Sequence, residues 1–217
     1  MQNSTESKFS SLISIRNSKG YSLFKTRSDF FLIFFVGLIF GILIFFVTIK
    51  SGLEIEKDAI NNHIHSLFSL SEDYSSRLAG VISVSKKDIY SVFFIFLSGF
   101  TYFCFAFSGV IVFTKGISLG LSVTYIFSST EAFESINSTA FGWIFLLMKF
   151  AIGLVIVFFA ADAYIFSYDF REIWQKHSIL RRASVTYKFV FYFIRSLGAS
   201  LLFNFIYCSF IKLLQTT

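Results

Sequence analysis

The chain has 217 residues, of which 55% are hydrophobic and only 15% charged, with thirty-three phenylalanines, no proline and a formal charge of +6. A water-soluble globule of this composition would lack the polar surface to cover itself, so the chain is a polytopic membrane protein, and its length allows one compact domain. The basic residues flank apolar runs and form no stripe among exposed aromatics, which speaks for membrane orientation and against a nucleic-acid partner.

Residues 1–29 form a basic tail, with Lys8, Arg16, Lys19, Lys25 and Arg27 against Glu6 and Asp29, expected on the cytoplasmic side with a short surface-lying helix. The apolar run at 30–49 has the length of a first span and no small-residue cleavage site. Within it Gly37 and Gly41 make a GxxxG pair, the mark of a close helix contact. Packing inside the chain is the preferred reading, and a homo-oligomer face is the alternative. Residues 50–88 are the longest polar segment, with five basic and six acidic residues. Ile60, Ile64, Leu67 and Phe68 recur there at helical spacing and predict an amphipathic extracytoplasmic helix that lies on the membrane surface or meets a partner. His63 and His65 are two apart, which points them to different sides of a helix, and no cysteine nearby completes a metal set.

The stretch 89–129 carries one formal charge, Lys115, and is too long for a single span. It predicts a helical hairpin with spans at 89–113 and 116–130. The turn is expected at Phe113-Thr114-Lys115-Gly116, because a lone ammonium costs about 2.5–3.5 kcal/mol at mid-bilayer and less at an interface. Gly116 and Gly120 then give the next helix a small-residue packing face. A fourth span is expected at 140–166, a basic cytoplasmic loop at 167–188 with Arg181 and Arg182 as docking residues, and a last span at 187–211. Counting Lys and Arg in the connections gives an all-α bundle of about five transmembrane helices, N-terminus inside and C-terminus outside.

Lys149, near the middle of the fourth span, needs a partner. Glu131, Glu134 and the hydroxyls of Tyr102 and Tyr125 are the candidates, and Lys149, Lys115, Glu131 and Glu134 define a candidate intramembrane polar site. Asp162 and Asp169 are seven apart and share a face if the fourth helix reaches that far. No zinc-protease HExxH, GxSxG elbow or Walker loop is present, and Cys104 and Cys208 sit in apolar runs as buried hydrophobes. The expectation is a non-enzyme without metal or cofactor.

The first span FFVGLIFGILIFFV, the hairpin stretch around FTKGISLGLSV and the last span YKFVFYFIRSLGASLLFNFIYCSF together resemble the stage II sporulation protein M family of bacterial membrane proteins. That resemblance implies a multi-pass protein of the bacterial plasma membrane, a scaffold that anchors cell-wall hydrolases during sporulation. The same family occurs in circular bacteriocin clusters. There the resemblance implies a component of maturation, export or immunity beside an ABC-type ATPase and the bacteriocin peptide. In both cases membrane lipids are the surroundings and proteins the partners.

Overall fold

A computed structural model describes residues 25–48, 77–128, 136–175 and 179–215, and all of these outside a turn at 99–103 are helical. The helices are α1 (Lys25–Thr48), α2 (Arg77–Ser98), α3 (Cys104–Ser128), α4 (Ile136–Gln175) and α5 (Ile179–Gln215). The protein is an all-helical membrane bundle. Of its helices α1, α3, α4 and α5 are long and apolar enough to cross a membrane. The fifth, α2, has Lys86, Lys87 and Asp88 in succession, which interrupts its apolar run.

The hairpin turn lies at 99–103, so the expected turn at 113–116 is corrected: Lys115 is in the interior of α3. The reason is that Lys115 is not a lone ammonium. Its Nζ donates to Asp88 Oδ1 at 2.6 Å, which removes the argument for placing it at an interface. Two further boundaries change with it. The polar segment expected to run to residue 88 gives way to helix at Arg77, and most of the loop expected at 167–188 is helix, because α4 continues to Gln175 and α5 already begins at Ile179. Arg181 and Arg182 accordingly lie in the first turn of α5. Ile60, Ile64, Leu67, Phe68, His63, His65, Glu131 and Glu134 lie outside the described residues.

Helix α1 runs parallel to α3, and their backbones touch. A Cβ built on Gly37 or Gly41 would collide with the carbonyl oxygen of Phe113 or Ile117, and one on Gly116 or Gly120 with that of Phe34 or Leu38. Both glycine pairs therefore face each other within one chain. Helix α4 runs antiparallel to α1, with Phe158 edge-on to Phe31 and Gly153 admitting the ring of Phe34.

At the turn end the core is aromatic. Phe189 stacks on Phe166 at 3.9 Å between centroids and on Phe96 at 5.1 Å, and a Cβ on Gly99 would come within 2.6 Å of its ring. Glycine at 99 thus lets the turn sit on the aromatic cluster. The turn is pinned from α4: Arg171 Nη2 donates to the Thr101 carbonyl and to Ser167 Oγ, both at 2.9 Å, while its guanidinium lies 4.3 Å from the Tyr102 ring centroid. A charged hydrogen bond and a cation–π contact at a partly exposed site together amount to about 2–3 kcal/mol. Arg171→Ala should lower the unfolding midpoint in a detergent titration by that order. Arg171→Lys should recover only part of it, since an ammonium cannot reproduce the planar fork. Equal stability of Arg171→Ala and the parent would mean the turn is held by its other contacts, the Ser167 hydroxyl on the Thr101 carbonyl and the Phe100 and Phe189 packing.

Candidate functional site

Four polar side chains meet near the middle of the bundle because each sits on the inward stripe of its own helix. The buried positions of α2 run Ser85, Asp88, Val92, Ile95, and those of α3 run Cys104, Ser108, Val112, Leu119, Ser122, Ile126. Lys115 fills the gap in the second series. In α4 the series is Phe145, Ile152, Ile156, Phe159, Ala163, with Lys149 in its gap, and in α5 it is Ser200, Asn204, Tyr207. Steps of three and four keep residues on one helix face, so every polar group here points where its apolar neighbours point.

The centre of the cluster is Asp88, 3% exposed. Lys115 Nζ donates to Oδ1 at 2.6 Å, Lys149 Nζ to Oδ2 at 3.5 Å, and Asn204 Nδ2 to Oδ2 at 3.2 Å. Asn204 also donates to the Ser200 carbonyl at 3.0 Å, which fixes its amide, and Lys115 reaches the Lys87 carbonyl at 3.5 Å. One carboxylate thereby ties α2 to α3, α4 and α5. Its depth follows from the packing: Gly116, next to Lys115, lies against Phe34 and Leu38, in the central part of α1. Two cations share one anion, so the cluster keeps an excess positive charge. The two lysine side chains, 20% and 18% exposed, are where that charge meets its surroundings. Such a group is costly in hydrocarbon and is sustained by pairing and hydrogen bonding.

Of the sequence-predicted polar site, Lys149 and Lys115 are brought together, on Asp88. Lys149 takes Asp88 as its ion-pair partner, while Tyr102 sits at the turn against Arg171. Asp88 and Asn204 were missing from the expected site, because Asp88 reads as the last acid of a polar segment. The available signal was periodicity: stepping back from Ile95 and Val92 by three and four reaches Asp88 on the same face.

A second polar cluster lies toward the turn end, where Arg27 Nη2 contacts Asp162 Oδ1 at 3.3 Å and its guanidinium stands 5.4 Å from the Phe158 ring centroid. The helix does continue through Asp162 and Asp169, as their shared face requires, and Asp162 is engaged by an arginine. Cys104 is buried beside Ser98 and Ser108, at 3.6 and 3.7 Å, and Cys208 is buried as well. Among the described residues no three His, Cys, Asp or Glu side chains gather to hold a metal.

Comparison with protein-family models, with curated proteins and with solved structures finds no match to this chain. The assignment to a multi-pass membrane bundle rests on the helices themselves.

Proposed function

We propose that the chain is a non-enzymatic scaffold or assembly factor of the bacterial plasma membrane, of the type the stage II sporulation protein M family represents, which recruits partner proteins at the membrane. The observation that carries this reading is the Asp88 cluster. Its three donors come from three other helices, so the ionisable groups in the middle of the bundle serve to hold helices together. The interlocked α1 and α3 backbones add to the same picture of a rigid platform. Partner recognition then falls to the polar segment after α1, including Ile60, Ile64, Leu67 and Phe68.

The test is affinity purification of the full chain from native membranes in mild detergent, with mass spectrometry of what stays bound. A cell-wall hydrolase complex is the expected result, and deletion of residues 56–70 should release it while the helices remain folded. Recruitment that survives this deletion sinks the proposal.

The excess positive charge at the cluster favours a second reading, a permease-like component of circular bacteriocin export or immunity that works with an ATP-binding subunit. In that case Lys149 lines the path of an anionic group, and Arg181 and Arg182 dock the ATPase. Lys149→Met would then abolish export and resistance while the protein still inserts and folds. Unchanged export in a folded Lys149→Met variant eliminates this path.

A further inference from the structure

Between α1, α4 and α5 a groove runs down the outside of the bundle from the turn end. It consists of two adjoining cavities of about 410 and 330 Å³ that share Arg27, Asp162, Tyr192 and Arg195. Such volumes fall in the range of small-molecule sites.

The lining changes character along the groove. The outer cavity adds Lys188 and Asp169 beside apolar Ile165, Phe166, Val185 and Phe189, and the inner one adds Val155, Phe158, Phe159 and Ala199 with Ser196 and no further charge. On α4, Val155 is seven residues from Asp162, about 10 Å farther toward the bundle centre. On α5, Ala199 is one turn beyond Arg195 in the same direction. The groove therefore has apolar walls along its length, its charges lie at the outer end and at the level of Arg27, and no charge lines it below that level.

Its cations are only partly satisfied by the protein. Arg27 contacts Asp162 through Nη2, but its buried Nε has no hydrogen-bond partner. Arg195 and Lys188 make no ion pair among the described residues, although both line the groove. Three cations face two carboxylates, Asp162 and Asp169, leaving a net positive site open to the outside. Tyr192 supplies a phenol at the same level.

We propose that this groove binds an anionic phospholipid, its phosphate held by Arg195, Lys188 and Arg27 and its acyl chain lying along Val155, Phe158 and Ala199. A diester phosphate accepts the hydrogen bonds that guanidinium and ammonium groups donate, and basic pockets between membrane helices are suited to anionic headgroups. The apolar lower half decides between two sources of the same phosphate chemistry. A soluble phosphate has no use for that wall, whereas a lipid needs it. This inference stands independently of the scaffold reading.

The experiment uses the full chain in neutral detergent, exposed in turn to phosphatidylglycerol and phosphatidylcholine, with native mass spectrometry of retained lipid. The parent should retain phosphatidylglycerol roughly tenfold or more over phosphatidylcholine, and Arg195→Gln with Lys188→Gln should bring the two to parity. Both residues lie on an exposed face, so the doubly substituted protein should keep its unfolding midpoint in neutral detergent. A second readout needs no variant: phosphatidylglycerol should raise the parent's midpoint and phosphatidylcholine should not. Equal retention of the two lipids by the parent, or undiminished preference in the doubly substituted protein, overturns the proposal. Displacement of bound phosphatidylglycerol by inorganic phosphate would also overturn it, by assigning the site to a soluble anion.

Discussion

Asp88→Leu should cost about 3–5 kcal/mol of stability, the usual consequence of removing one partner from a buried ionic cluster. The substitution leaves the largely buried Lys115 and Lys149 ammonium groups without their shared carboxylate, their charge uncompensated. It also leaves Asn204 with the Ser200 carbonyl alone. Replacing the whole set is a different experiment. With Asp88→Leu, Lys115→Met and Lys149→Met combined, no charge remains to be desolvated, and the protein should be as stable as the parent or more so by about 1–4 kcal/mol. Unfolding midpoints in a detergent titration measure both. The comparison separates structure from function as well: a stable triple variant that still recruits its partner confines the cluster to assembly, and one that loses all function gives Lys149 a further role. If the triple variant were as unstable as Asp88→Leu, the loss would come from packing around the introduced leucine and the electrostatic account would be wrong.

The helical membrane class was legible from composition, and the glycine faces were legible from spacing, because both depend on local pattern. The position of the turn is not legible from charges taken one residue at a time. Lys115 alone belongs at an interface by its transfer cost, which points to a turn at 113–116, whereas the chain turns at 99–103. The information that reverses it lies twenty-seven positions earlier, in Asp88, within a stretch whose charges suggest a solvated loop. A pairing across that distance is fixed by how α2 lies against α3, and the two residues do not announce it. The true turn is also muted. It contains Gly99, but its other residues, Phe100, Thr101, Tyr102 and Phe103, are three aromatics and a threonine, and they turn because Arg171 and Phe189 hold them from α4 and α5. Asp162 and Arg27 show the same limit, since their contact spans 135 positions.

Substituting the facing glycines should pry α1 from α3. Gly37→Val and Gly116→Val each put atoms where the neighbouring backbone already is: a Cβ on Gly37 meets the Phe113 carbonyl, and one on Gly116 meets the Phe34 carbonyl and comes within 2.9 Å of the Leu38 nitrogen. A backbone atom has no rotamer to yield, so the helices must separate along their length. In lipid that separation is not offset by a hydrophobic effect between helices, because their association rests on close packing. A loss of about 1–3 kcal/mol or more for each substitution is expected from overpacking alone. Gly37 and Gly116 share one contact region, so the double variant should lose less than the sum. Gly198→Ala supplies the control. Nothing lies within 4 Å of a Cβ there, and the change should be neutral or stabilise the helix by up to about 1 kcal/mol. Size measurement alongside the unfolding midpoints addresses the alternative of a dimer face. With both glycine pairs engaged inside one chain, Gly37→Val should reduce stability without changing the oligomeric state. A variant that dissociated into smaller species with an unaltered midpoint would instead place Gly37 and Gly41 between chains.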